Sequence, residues 1–214
     1  MIYKKVASSS NGNAMVYHDI VMVDCGVNLK TIKPYARDLK MVLLTHEHHD
    51  HYKKNTIVKL AHLHPKIMWF APEWLVDDLK KIGVDNVHLV EMNKVYQIGS
   101  IIISPFYLYH DVPNCGWRIV KDNFKIFHAT DTSSLSGISA KDYDLYAIEY
   151  NHNLEKHLEA IDEKKSNGEY AYEERAIRTH LSFEKADEFI NENKKEDSVV
   201  LKLHISTRYV GEVL

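Results

Sequence analysis

The chain has 214 residues, enough for one domain with a full core and too few for two large ones. Hydrophobic residues make up 45% and charged residues 27%, the balance of a soluble globular protein, and a net charge of −3 excludes an overall basic field for nucleic acid, leaving only a local patch to meet one. Two cysteines exclude a disulfide framework and fit a reducing compartment, and no apolar run approaches the ~20 residues of a membrane span, so a cytoplasmic protein without a membrane partner is expected.

In chain order, Met1–Ala7 reads as a strand without the apolar length of a signal peptide, and Ser8–Asn13 as a turn of small and amide residues. Ala14–Tyr17 and Ile20–Val23 are short strands about a His18-Asp19 hairpin turn, the second ending in Asp24-Cys25-Gly26. Val27–Arg37 is loop and short helix. Met41–Leu44 is a buried strand, and Lys53–His62 has helical composition. Lys66–Phe70 is a strand; Pro72 opens a helix through Lys81, with Gly83 as its stop. Val87–Val90 and Val95–Ile98 are short strands, and Ser100–Tyr109 alternates up to His110. Trp117–Val120 and Phe124–Ala129 form a hairpin about Lys121-Asp122-Asn123 that runs into Thr130-Asp131. Leu145–Ile148 delivers Glu149-Tyr150-Asn151-His152. Helices follow over Leu154–Lys165, Tyr170–Arg178 and Phe183–Lys194, and Ser198–Leu203 is the last strand, before His204.

Thr45-His46-Glu47-His48-His49-Asp50-His51 is the densest chemistry in the chain, with four histidines and an aspartate in six consecutive residues. Imidazole and carboxylate are ligands of zinc and similar divalent ions. On an extended or loop backbone His46 and His48 point the same way and share one metal. Asp50 and His51 come after the chain turns and hold a second, while His49 points away. Apolar strands end in turn at Asp24, His46, His110, Asp131, Asn151-His152 and His204, which places a shared site along one edge of the sheets. Strands interleaved with amphipathic helices argue for an α/β class.

Asp24, His46-x-His48-x-Asp50-His51, His110, Asp131 and His204, in this order, resemble the metallo-β-lactamase fold superfamily. That resemblance implies a single domain over residues 1–214 with a four-layer αββα sandwich. The segment Leu203–Tyr209 is similar to the His-Phe-Ser-x-Arg-Tyr ending of the RNase Z family. Ser9–Asn13, Glu149-Tyr150-Asn151-His152 and His180-Leu181-Ser182 resemble segments of YycJ-like DNA exonucleases, and related short proteins occur in phages. Tyr150 stands where those enzymes have a small residue and Thr179 where they have glycine. The protruding arm that RNase Z uses to grip tRNA has no counterpart.

The resemblance implies a phosphodiesterase with two divalent ions, zinc or manganese. His46, His48 and His110 hold the first, Asp50, His51 and His204 the second, and Asp131 bridges them. Asp24 orients a ligand imidazole from behind. Asp50 also counts among the catalytic residues, because the ions activate a shared water. His180 is the general acid, with Glu149 holding its donor tautomer. Asn151, His152 and Arg208 are expected at the substrate, with Arg175 and Arg178 as further phosphate contacts. The expected substrate is DNA; the alternative is a cyclic nucleotide, in a pocket that a homodimer completes. A scaffold that keeps the fold without catalysis is the reading from another class. Cys25 is expected as a buried filler, the three tryptophans as core or interface, and His18, His62, His64, His88, His128 and His157 as structural or exposed.

Overall fold

The computed structural model describes residues 1–209, in two compact units: Met1–Lys94, and the chain from Val95 onward. Each unit carries one six-stranded sheet, and six α-helices accompany them among the described residues, so the mixed α/β class is observed.

The first unit orders its strands as they occur in sequence: β1 (Tyr3–Ser9), β2 (Gly12–Tyr17), β3 (Val21–Val23), β4 (Met41–Leu43), β5 (Met68–Pro72) and β6 (Val87–Val90). β1 to β3 are antiparallel, and β3 to β6 are parallel. The β2–β3 turn puts His18 and Asp19 at φ 50° and 63°, the left-handed pair that a tight hairpin requires. Parallel neighbours need crossovers, and α1 (Leu29–Ala36), α2 (Lys54–Leu63) and α3 (Glu73–Lys81) supply them. Their apolar faces meet the sheet in a core that includes Val16, Met22, Ile32, Val42, Ile57 and Trp69.

The second unit holds β7 (Tyr96–Ile98), β8 (Ile101–Leu108), β9 (Asn114–Lys121), β10 (Phe124–Ala129), β11 (Leu145–Glu149) and β12 (Val199–Leu203), in the order β12-β11-β10-β9-β8-β7. β7 to β10 are antiparallel; β10, β11 and β12 run parallel. α4 (Leu154–Ser166), α5 (Glu173–Thr179) and α6 (Phe183–Asn193) lie between β11 and β12. Phe106, Phe127, Tyr146, Leu181, Phe189 and Ile190 are among its core.

β1 and β2 extend into the turn expected over Ser8–Asn13, to Ser9 and from Gly12, and β5 lies two residues later than expected; the largest shifts, three residues each, are at β9 and α5. β9 begins at Asn114, not Trp117, because β8 extends the ladder to the Leu108–Asn114 pair, a long-range partner that local propensity cannot show. α5 begins at Glu173, which leaves Tyr170 and Ala171 outside the helix.

This topology sets where chemistry emerges. β8 and β10 both oppose β9, so β8, β10, β11 and β12 all point one way. The residues that follow them, including His110, Asp131, Asn151 and His204, therefore leave the second sheet at one edge. In the first sheet β3 and β4 do the same with Asp24 and Thr45-His46.

Candidate functional site

In the first unit, β4 is apolar and buried throughout, and it hands over directly to Leu44-Thr45-His46. Asp24, just past β3, takes φ 61°, a left-handed backbone that is strained for a residue with a side chain. Its carboxylate faces the neighbouring strand end. Oδ1 accepts from the Thr45 amide at 3.0 Å and the Thr45 hydroxyl at 2.9 Å, and Oδ2 lies 2.6 Å from His51 Nδ1. The imidazole that Asp24 holds is thus His51, whose Nε2 is turned to the other side. Burial pushes the Asp24 carboxyl pKa up, against the opposing pull of His51 and Thr45.

The histidine run folds back beneath Gly26. A Cβ at that position would lie 1.6 Å from the Asp50 carbonyl oxygen, so only glycine permits the loop to close there. The His46 ring lies 4.8 Å from that of His48 and 4.3 Å from that of His51. His46 and His51 are buried, His48 and Asp50 half-buried, and His49 is exposed. Asn13, a turn residue by local composition, lies in β2 and joins this site without any signal in the sequence to single it out. The Asn13 amide is buried, donates to Asp50 Oδ2 at 3.1 Å, and sits 2.8 Å from His51 Nε2. The Asn13 backbone N–H donates to the Asp50 carbonyl at 2.6 Å.

In the second unit, Glu149 is the hub. Its side chain is fully buried at the end of β11. Oε1 lies 2.7 Å from His180 Nδ1 and 3.1 Å from His204 Nδ1. Oε2 accepts from the backbone N–H groups of Thr132 at 2.9 Å and Leu181 at 3.1 Å. Burial alone would raise its pKa; the His180 charge and the bonds from both imidazoles outweigh burial and hold it at about 2. For His180 burial pulls the pKa down, but the Glu149 charge and hydrogen bond, with Asp131, bring it above the ordinary 6.5. Asp131 Oδ1 lies 3.5 Å from His180 Nδ1, 3.5 Å from His204 Nε2 and 4.0 Å from His110 Nε2. Asp131 and His204 share the left-handed strain of Asp24, at φ 57° and 49°. His110 Nδ1 bonds to the Thr179 carbonyl at 2.8 Å, and burial keeps its pKa below the usual value, which favours the neutral ring.

The two departures from the exonuclease pattern have structural roles. Thr179 presents the carbonyl that fixes His110, and its hydroxyl donates to the Arg175 carbonyl at 2.8 Å. Tyr150 is buried, and its hydroxyl donates to Asp187 on α6 at 2.7 Å. Segments 149–152 and 180–183 pair along their backbones: Asn151 N–H donates to Leu181 O at 3.0 Å, and Phe183 N–H to His152 O at 2.9 Å.

The residues expected at substrate are placed as follows. Asn151 is buried and donates to the His204 carbonyl at 3.1 Å. His152 is only 1% exposed, with its ring 4.4 Å from that of His157. Burial, then the nearby His157, lowers the His152 pKa to about 4. Arg208 donates to Tyr172 at 3.2 Å and Glu173 at 3.1 Å, Arg175 to Asp111 at 2.7 Å, and Arg178 is exposed. Cys25, Trp69 and Trp117 are buried and Trp74 half-buried; His128 and His157 are buried, His18 and His64 half-buried, and His62 and His88 exposed.

The donor chemistry fits divalent metal. In the second unit Asp131, Glu149, His180 and His204 each offer a donor atom within 4.8 Å of the others. In the first, the His46, His48 and His51 rings cluster beside Asp50. Carboxylate with imidazole suits zinc and manganese alike.

The chain is similar to known proteins over most of its length. A family model described as beta-lactamase superfamily domain matches residues 20–200. Exodeoxyribonuclease WalJ of Streptococcus pneumoniae is 30% identical over 172 residues, which cover 72% of this chain and 63% of WalJ. Among solved structures, the metallo-beta-lactamase fold protein YhfI from Bacillus subtilis aligns with a TM-score of 0.72 at 15% identity, over 96% of this chain and 86% of that one. The short form of human tRNase Z aligns equally well, with a TM-score of 0.72 at 15% identity, over 98% and 94%. These likenesses show the metallo-β-lactamase fold. The chain spans somewhat under two thirds of the length of the curated relative it matches. Among the described residues, no helix is long and apolar enough to cross a membrane.

Proposed function

Because the chain belongs to the β-lactamase superfamily, we propose that it is a divalent-metal-dependent phosphodiester hydrolase, and specifically a DNA nuclease. One observation carries the hydrolase reading: His180 rests on the buried Glu149 carboxylate at 2.7 Å while its ring stays 21% exposed. A phosphodiester expels an alkoxide, which leaves badly without a proton. An imidazole held by Nδ1, with its pKa raised, keeps a proton near neutral pH and gives it from the outer nitrogen. A thiolate leaves a thioester without such help, so the His180–Glu149 pair answers a demand that a thioester does not make.

The proposed ligands are His46, His48, Asp50 and His51 in the first unit and His110, Asp131 and His204 in the second. Family membership and the donor chemistry of each unit support this set. Such ions, when bound, supply activated water and charge stabilisation at phosphate oxygens. Asp24 and Asn13 then serve as positioning residues for His51 and Asp50, and Glu149 does so for His180 and His204. Residues 1–214 are proposed to form one hydrolase domain, in keeping with a single family match over 20–200. DNA as substrate rests on the likeness to an exodeoxyribonuclease. A cyclic nucleotide is the second reading, favoured by the net charge of −3, which gives a long polyanion no general attraction.

The test loads the protein with Zn²⁺ or Mn²⁺ and offers bis(p-nitrophenyl) phosphate, single- and double-stranded DNA, RNA and cyclic mononucleotides. Close to two metal equivalents, turnover of the chromogenic diester and cleavage of DNA are expected. Stoichiometric metal with no turnover of any diester would remove the hydrolase reading, and cleavage of cyclic mononucleotides alone would promote the second.

A further inference from the structure

Large apolar side chains usually leave water when they can, and isolated exceptions mean little. In the second unit four such exceptions are tyrosines: Tyr107 is 61% exposed, Tyr109 59%, Tyr170 81% and Tyr172 49%. Three of them are tied to one neighbourhood. Tyr109 directly precedes His110 and Asp111, and Asp111 accepts from Arg175 at 2.7 Å. Tyr170 lines a cavity of about 360 Å³ together with His110, Asp111, Arg175, Arg178 and Thr179. Tyr172 accepts from Arg208 at 3.2 Å, and the Lys164 ammonium stands 4.3 Å over its ring. Arg178 is exposed, and its charge acts on the Glu174 carboxylate four residues earlier. Glu174 lines the cavity as well, so exposed tyrosine stands here among both cations and carboxylates, next to a candidate ligand, His110. A volume of this size takes a nucleotide-sized group rather than a duplex.

We infer that this face binds single-stranded nucleic acid. Tyr170 and Tyr109 stack on unpaired bases, and Arg178 holds a backbone phosphate. Base faces are open to stacking only in an unpaired strand, and every base has one, so such a row recognises strandedness and not sequence. Two exposed rings, Tyr109 and Tyr170, offer more stacking faces than the single base of a cyclic mononucleotide can take. The inference rests on the phosphodiesterase reading above and names its substrate as a single strand.

The experiment is fluorescence anisotropy on the metal-loaded protein, with a labelled phosphorothioate oligothymidylate of about 12 nucleotides and a duplex of equal length. The single strand is expected to bind at least about tenfold more tightly than the duplex. Tyr170→Ala is expected to weaken strand binding about fivefold or more, and Tyr170→Phe to keep it, because the ring does the stacking. Arg178→Ala should lower the slope of log affinity against log salt by about 0.7. Wild-type affinity in Tyr170→Ala, duplex bound as tightly as strand, or tighter binding of a cyclic mononucleotide would each overturn the inference. Wild-type turnover of bis(p-nitrophenyl) phosphate reads the catalytic proposal separately. Turnover without strand binding removes the strip alone. Tyr170-dependent strand binding without turnover keeps the strip and removes the catalysis.

Discussion

His180 follows the end of α5 and stands three residues before Phe183, the first residue of α6, in a stretch where a polar residue often serves as the cap. Here the cap is Ser182, whose hydroxyl accepts from Lys185 N–H at 3.3 Å. His180 is left to Glu149, on a carboxylate that is anchored by two backbone N–H groups and has no freedom to turn away. His180→Ala should therefore keep the bound metal and slow DNA cleavage about 10²–10⁴-fold, the usual weight of a general acid. p-Nitrophenolate leaves without help, so bis(p-nitrophenyl) phosphate turnover should fall much less. Equal losses on both substrates would assign His180 to the fold or to a metal.

At the scale of elements, the helices that follow Glu149 and His180 in the chain, α4 and α6, are each fixed at their N-terminus. α6 depends on the Ser182 cap, and α4 on Asn153, whose side chain accepts from Lys156 N–H at 2.9 Å. Ser182→Ala should lower stability by about 1 kcal/mol, with Ser182→Gly costing only a few tenths. Denaturant unfolding at constant m checks this; an unchanged midpoint for Ser182→Ala would mean that the cap contributes nothing. Element positions were largely legible. Strands that end in polar ligands, and helices opened by Pro72 or Ser182, follow from local patterns. The start of β9 and the short α5 were not, because the first is set by pairing with β8 and the second by where Tyr172 and Glu173 dock against Lys164 and Arg208.

For the whole molecule, the buried histidines predict a pH dependence. His152 titrates at about 4 in the folded state against 6.5 in its ordinary state. The unfolded chain therefore binds the extra proton between these values, and stability is fully present above pH 6.5 and falls as pH drops toward 4. His110 and His157 are lowered too and act in the same direction; His180 is raised and acts in the opposite one, losing its contribution as pH rises above 6.5. Glu149, held at about 2 against an ordinary 4.5, adds a further loss as pH falls from about 4.5 toward 2. Urea unfolding of the metal-free protein should show stability declining by up to ~1.4 kcal/mol per pH unit for each proton taken up below pH 6.5. The decline should be shallower in His152→Gln, and an equal slope in both would show that His152 does not titrate in this way.

The sequence by itself determined the element order, the mixed α/β class and the kinds of donor at the strand ends, because these depend on residue type and on spacing along a short stretch of chain. Tertiary structure decided what those donors do. It set the left-handed backbone at Asp24, Asp131 and His204, and it put one Glu149 oxygen between His180 and His204. It also brought Asn13 to Asp50 and His51, and it occupied Arg175 and Arg208 with Asp111 and Glu173. Each of these depends on partners distant in sequence that meet only when the strands pair, and no local pattern of residues encodes which partner arrives.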